Sequence, residues 1–441
     1  MSSGLRAVVG LVLLCAALFS VTGMTGMTEP TMGGLACWLL VGLAGALVAT
    51  YDPTAGAGGA PTLYLAVFGM FHAGLIVSYV AIGDSALVGQ GDNRFVDPQT
   101  LLRPVIAVLT GLLALVVGYL LARHLAPVAP PHDSQPTADR VGVVGLVAVV
   151  VGAGIVFRTL GQGGIGLGSG YGDFLEAAAT STYGYGVLLV GYGCSFLVVA
   201  GGRYRTLGLV AMGVVGSVLL VLGSRGAVLF PVLAMVYAVG RRRRVRPVSA
   251  VIVAVLGLGV TSVIRVTRLG GFRALLAGDG DFSPWHGLAE LGYSIYPVVV
   301  VQRWMDGGEE PRHGVTLIAV PLRFLARLFG GGAPPAKEDH RLFNVEILDR
   351  QGPIGGSPIA EAIRNGGLPF VVVLMAAIGV LLWLAARGQG SRGTLWGVVL
   401  LLPLLIGTRN SFAPIPAQWL IGSLLVVLAS AGARARDRVP T

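Results

Sequence analysis

Residues 265–365 read RVTRLGGFRALLAGDGDFSPWHGLAELGYSIYPVVVVQRWMDGGEEPRHGVTLIAVPLRFLARLFGGGAPPAKEDHRLFNVEILDRQGPIGGSPIAEAIRN, the longest polar interval in a chain that is otherwise a succession of apolar runs. Those runs are about 18 to 21 residues long, enough for a helix to cross a hydrocarbon layer of about 30 Å. With 54% hydrophobic and 12% charged residues among 441, the chain does not have the composition of a soluble domain, where about a quarter of residues are charged. The polar interval is therefore where chemistry is expected, together with the helix ends that face it.

Working outward, the expected spans lie at about 5–24, 32–50, 62–82, 101–122, 141–160, 181–201, 206–223, 226–240 and 248–265 before the interval, and at about 366–386, 394–409 and 414–432 after it. The predicted fold is an all-α polytopic membrane protein of about twelve transmembrane helices. It has an N-terminal bundle (1–264, about nine spans), a large extracytoplasmic loop (265–365) containing interfacial or re-entrant helices, and C-terminal spans with a short basic tail (366–441). Only Arg6 precedes the first run and no small-residue cleavage site follows it, so a retained signal-anchor helix is expected.

Orientation follows from the basic loops. Arg241 to Arg244 with Arg246 fix the turn after the eighth span in the cytoplasm, and counting outward places both termini there, in a plasma membrane. One face then carries 15 Arg against 4 acids (+11) and the other 16 basic against 17 acidic residues (−1), which together give the formal +10. The basic balance is a topology signal and supplies no argument for nucleic acid. Cys15, Cys37 and Cys194 all lie within apolar runs, as small packing residues do.

Several features carry chemistry. Arg225 stands at the tip of a tight hairpin, Gly223-Ser224-Arg225-Gly226, slightly below the outer surface. At that depth it either meets an anionic substrate or snorkels to headgroups. Arg265 and Arg268 decorate the exit of the ninth span. In residues 281–300 an apolar second half follows Glu290, which predicts a helix lying along or dipping into the outer leaflet. Arg323 and Arg327, at i and i+4, share one face of an apolar helix. That helix is either interfacial and amphipathic or a bidentate clamp for phosphate. Glu361, Arg364 and Asn365 lie at the outer end of the tenth span, and Arg409 at that of the eleventh. The string at Gly161 to Gly166 fits GxGxxG, but no strand precedes it, so a nucleotide site is rejected. His286, His313 and His340 have no second ligand at metal spacing, and neither GxSxG nor HExxH occurs. No metal or cofactor is predicted.

These pieces, in order, resemble the bacterial O-antigen polymerases, the Wzy-type polymerases of lipid-linked oligosaccharide repeat units. The GSRG hairpin comes first, then the basic turn, then Glu290-Leu291-Gly292 ahead of a charged turn. Gly314 precedes an apolar stretch ending in Pro321-Leu322-Arg323, and Gly355-Gly356-Ser357, Glu361, Asn365 and Gly367 complete the set. The resemblance covers about residues 220–385; earlier spans agree in hydropathy alone. Gly366 stands where the family pattern has an aromatic residue. Arg303 to Gly314 and Arg341 to Gly352 also fit a family spacing, one that 68 glycines make common by chance.

The resemblance implies a GT-C-like, metal-independent glycosyltransferase that joins polyprenyl-diphosphate-linked oligosaccharides on the outer face of the plasma membrane. Membrane lipids, and in some systems a chain-length regulator, would be its partners. Such a reaction needs cations at the leaving diphosphate, for which Arg225, Arg265, Arg268, Arg323, Arg364 and Arg409 are the candidates. It also needs a base for the acceptor hydroxyl, for which Glu290, Glu361 and then His313 are the candidates. Glu361 is equally explained as a helix N-terminal charge. A ligase-type glycan transferase is a close variant. A twelve-span secondary transporter is the alternative class, although no two-fold repeat is evident and His72 is the main mid-span ionisable residue. A non-catalytic scaffold would tolerate loss of every outer arginine.

Overall fold

A computed structural model describes residues 2–27, 29–87, 95–126, 136–166, 174, 182–277, 283–330 and 338–431; the side chains of 24–27, 264–277, 324, 327 and 328 lie outside that description. The helices in chain order are α1 (Ser3–Met27), α2 (Met32–Thr50), α3 (Ala60–Ile82), α4 (Pro98–Leu125), α5 (Ala138–Gln162), α6 (Tyr183–Ala200), α7 (Gly202–Val221) and α8 (Gly226–Gly240). There follow α9 (Pro247–Ala277), α10 (Pro284–Gly292), α11 (Tyr296–Asp306), α12 (Val315–Leu328), α13 (Phe343–Gln351), α14 (Pro358–Arg387), α15 (Gly390–Gly407) and α16 (Ile415–Ser430). Helix satisfies every backbone donor and acceptor within one segment, which is what an apolar solvent demands.

Among the described residues nine helices are long and apolar enough to cross a membrane: α1 to α7, α14 and α15. The other three expected spans, α8, α16 and the apolar part of α9 (Pro247–Val263), are shorter apolar helices. On α9 the side chains of Val248, Val251, Ile252, Val253, Val255 and Leu256 are all more than half exposed. A helix apolar around its whole circumference and uncovered by protein is stable only against lipid. α9 runs through the 264/265 boundary without a break and ends only at Ala277.

Glycine sets the helix spacing. A Cβ added at Gly118 of α4 would lie 2.2 Å from the Ala376 carbonyl oxygen of α14, and one at Gly379 of α14 would lie 2.1 Å from that of Leu115. α5 and α6 approach in the same way through Gly145 and Gly193. Lipid tails are as apolar as leucine, so close backbone contact across small residues is what holds such helices together.

The end of the bundle that carries residues 283–365 has its own construction. Ser283 caps α10 by accepting from the Trp285 N–H, with Pro284 at the first helical position. α10 lies against α3 and α9, and a short 3-10 turn, Tyr293–Ile295, separates it from α11. Where one helix is expected, over the apolar half of 281–300 from Glu290 and lying along or dipping into the leaflet, there are two short helices packed into the bundle. Val298 to Val301 are buried at four consecutive positions, so the first half of α11 is enclosed on all sides, while Arg303 and Asp306 near its end are exposed. α14 is broken at Gly366 and at Gly367 (φ 69°, ψ −154°), a conformation that suits glycine alone. Its first two turns therefore form a separate short helix carrying Glu361, Arg364 and Asn365.

Candidate functional site

The GSRG hairpin turns on Gly223 (φ 78°) and is steadied by the Tyr183 hydroxyl, which donates to Ser224 Oγ at 3.2 Å. This places Arg225 immediately before α8, buried to 6% exposure, where its guanidinium pairs with the carboxylate of Glu290 on α10. Two of the sequence-predicted residues, drawn from segments 65 positions apart, thus meet in one buried ion pair. Arg409 is half-buried after α15, its guanidinium carbon 6.0 Å from the centre of the Phe71 ring of α3. Phe71 also lies 6.1 Å from Phe230, one turn into α8 beyond Arg225. Phe71, midway along α3, therefore makes one patch with Arg409 and with Phe230 of the helix that Arg225 precedes.

The glycines of the family pattern are explained by contact. A Cβ on Gly292 would fall 1.9 Å from the Leu75 N of α3, so α10 docks with backbone against backbone. Gly292→Ala is expected to push α10 off α3, separate Glu290 from Arg225 and cost about 1–3 kcal/mol in stability. A lowered unfolding midpoint of the purified variant checks this; an unchanged midpoint would contradict the packing argument. Gly355 (φ 83°) and Gly356 pack against Arg409 and Asn410, with the Gly356 N–H donating to the Arg409 carbonyl at 2.8 Å. The departure at Gly366 is filled by Phe370, whose ring lies 2.8 Å from where a Cβ would stand.

Glu361 is fully buried. Thr316 Oγ1 of α12 donates to Oε1 at 2.8 Å and the Phe412 N–H to Oε2 at 2.6 Å, while Asn365 Nδ2 donates to Thr316 Oγ1 at 2.7 Å. The adjoining cavity, bordered by Tyr64, Asn410 and Phe412, has a volume of about 10 Å³. That is at most room for one water beside the carboxylate. Glu361 ties α12 and the segment after α15 to α14.

Arg364 and Arg323 are likewise engaged. Glu346 of α13, buried to 4%, accepts from Arg364 Nη2 at 2.7 Å and Arg312 Nη2 at 3.0 Å. Arg350 bonds Glu309 at 2.5 Å and stacks 3.7 Å over Trp304. Burial pushes the Glu346 carboxyl up, but the hydrogen bonds from Arg364 and Arg312 outweigh it and hold it below its ordinary value. The second clip is Arg323 with Asp339, whose carboxyl is held well below the usual range by Arg341 and then by Arg323. Around Arg323, α12 exposes Val315, Ile318, Leu322 and Leu325 while burying Thr316 and Ala319. Its apolar stripe faces outward as on an interfacial helix, and Arg323 turns inward. The Arg327 side chain lies outside the described residues, as do those of Arg265 and Arg268 on α9.

His313 is exposed on the turn before α12, in a left-handed conformation with φ 47°. A non-glycine residue there is strained. His313→Gly is expected to raise stability by up to about 1 kcal/mol and to leave activity within about twofold. A hundredfold loss in activity would instead make the imidazole a proton-transfer group. His72, the mid-span histidine, is held by the Phe68 carbonyl (3.0 Å) and Ser357 Oγ (2.8 Å), so it orients the cap of α14. Glu346, Asp339 and Thr316 were not singled out by sequence. Among the described residues no three of His, Cys, Asp and Glu gather where they could hold a metal ion.

The chain is similar to Protein CapE of Staphylococcus aureus. The two are 25% identical over 255 residues, which is 57% of this chain and 57% of Protein CapE. The chain thus spans little more than half the length of that relative. No family model matches the chain, and no solved structure matches it.

Proposed function

We propose that this protein is a membrane-embedded glycosyltransferase that polymerises polyprenyl-diphosphate-linked oligosaccharide repeat units on the outer face of the plasma membrane. The similarity to Protein CapE supports a role in surface polysaccharide synthesis. The observation that carries the finer reading is the buried Arg225–Glu290 pair at the loop end of the bundle, on the same patch as Arg409.

A buried arginine balanced by a carboxylate is a site into which another anion can exchange. In this reading the donor diphosphate takes over Arg225, with Arg409 beside it, and Glu290 is released to face the acceptor sugar. The acceptor hydroxyl oxygen attacks the anomeric carbon of the donor glycan. The bond from that carbon to the diphosphate oxygen breaks, polyprenyl diphosphate leaves as the anion, and the hydroxyl proton passes to Glu290. Positioned cations lower the energy of the leaving charge, and a carboxylate in hydrogen-bond reach is a competent base. Glu361, Arg364 and Arg323 position the loop that covers the site.

The direct test is extension of a defined lipid-linked repeat unit by purified protein, with and without EDTA. A ladder of products one repeat apart that persists in EDTA is the expected result. Single transfer to a different acceptor with no ladder would make the protein a ligase-type transferase, and no transfer at all would overturn the reading.

A further inference from the structure

The opposite end of the bundle contains a second polar cavity, unconnected with the pair above. It measures about 440 Å³ and is lined by Arg241, Arg242 and Arg244 from the turn after α8 and by Gln389, Ser391 and Thr394 at the start of α15. The volume falls within the range of small-molecule sites, roughly 300–1,000 Å³. Charge that served topology alone would need no cavity around it.

The walls are rigid. The turn is strapped to the α2–α3 link by a backbone pair, Val245 N–H to the Ala55 carbonyl and Ala57 N–H to the Val245 carbonyl, both at 3.1 Å. Arg241 donates to the Gly388 carbonyl and lies 3.6 Å from Asp52. The Asp52 carboxylate also accepts from the Thr54 N–H and hydroxyl, at 2.8 Å and 2.6 Å. Arg242 lies against Gly201 (φ 79°), with a guanidinium nitrogen 2.4 Å from where a Cβ would stand. Burial, and then the nearby Arg205, lower the Arg242 guanidinium from its ordinary value. α15, 18 residues long, adds the positive end of its dipole where it begins at the wall.

We propose that this cavity binds a phosphate-bearing anion, either a phospholipid headgroup from the adjacent leaflet or a free phosphate compound. Arginine forks suit phosphate oxygens, and three arginines line the cavity while the neighbouring Asp52 carboxylate pairs with Arg241.

The test uses the full-length protein purified in detergent. Native mass spectrometry reads retention of phosphatidylglycerol against phosphatidylcholine, and thermal shift reads binding of inorganic pyrophosphate. The pocket variant is Arg242→Gln with Arg244→Gln. The control, Arg243→Gln with Arg246→Gln, removes equal charge from residues that do not line the cavity. Phosphatidylglycerol, pyrophosphate or both should bind the wild type, about tenfold or more weakly in the pocket variant and unchanged in the control. Lipid alone identifies the headgroup as ligand, and pyrophosphate alone a free phosphate compound. Binding of neither, or equal weakening in both variants, overturns the proposal. Should the pocket variant fail to fold, arginine-selective labelling of the wild type decides. Protection of Arg242 and Arg244 but not Arg243 or Arg246 supports the site, and uniform labelling overturns it.

Discussion

Glu346→Gln is expected to undo the outer loop without disturbing the spans. Glu346 is the anion shared by Arg364 and Arg312, and Arg364 is itself 5% exposed with its carbonyl accepting from the Arg312 N–H. Neutralising the hub removes the charge-assisted bonds of Arg364 and Arg312 and leaves Arg364 with Glu309, 3.2 Å away, as its remaining carboxylate, for which the expected loss is about 2–3 kcal/mol. Hydrogen exchange should rise in α13 and in residues 309–316 while exchange in α4 and α6 stays slow. The same pair predicts a pH dependence. A carboxyl held below its ordinary value of 4.5 contributes stability that is present above that pH and is lost as pH falls through the lowered value. Loop protection in the wild type should therefore decline as pH drops below 4.5, and Glu346→Gln should lack that dependence. Protection unchanged by the substitution at neutral pH would remove Glu346 from this role.

The sequence made the membrane helices legible because their signal is composition over a fixed length, which needs no tertiary information. The hairpin at Arg225 is readable for a related reason, since it is a local backbone requirement; the break at Gly366 and Gly367 is not, because Glu361 to Asn365 read as the end of the tenth span itself. What could not be read was pairing. Arg225 and Glu290 are 65 residues apart, and nothing local says that α10 inserts along α3. Gly292 was visible as part of a pattern, but its reason, a contact with Leu75 backbone, belongs to the tertiary structure. The same limit explains Arg364 and Arg323. Arginines on an outer loop look alike in sequence whether they await a phosphate or close a clip with Glu346 or Asp339. Burial beside a carboxylate does not separate the two uses, because Arg225 has Glu290 as Arg364 has Glu346 and Arg323 has Asp339. What sets Arg225 apart is where its partner stands: Glu290 lies on α10, packed against α3 and α9, whereas Glu346 and Asp339 belong to the loop segment itself.

Removing both charges of the Arg225–Glu290 pair tests whether the pair is catalytic or merely structural. Arg225→Ala alone is ambiguous, because it strands the Glu290 carboxylate in a buried site and so destabilises the protein by about 3–5 kcal/mol. In Arg225→Gln with Glu290→Gln no charge is left unpaired, and the shorter side chain at 225 loses only part of the packing, so the fold should be retained within about 2 kcal/mol. Repeat-unit extension should nevertheless fall by at least about 10³-fold. A lost base is worth about 10²–10⁴, and a lost donor to the leaving group about 10²–10³. Because both act in one step the effects need not add. Arg225→Lys keeps the charge but not the fork, and should retain partial activity with weaker lipid-linked donor binding. The decisive comparison is the double variant against wild type at matched unfolding midpoints. A folded double variant that still lengthens chains would make the pair a structural strut and send the search for the base back to the residues around Arg409.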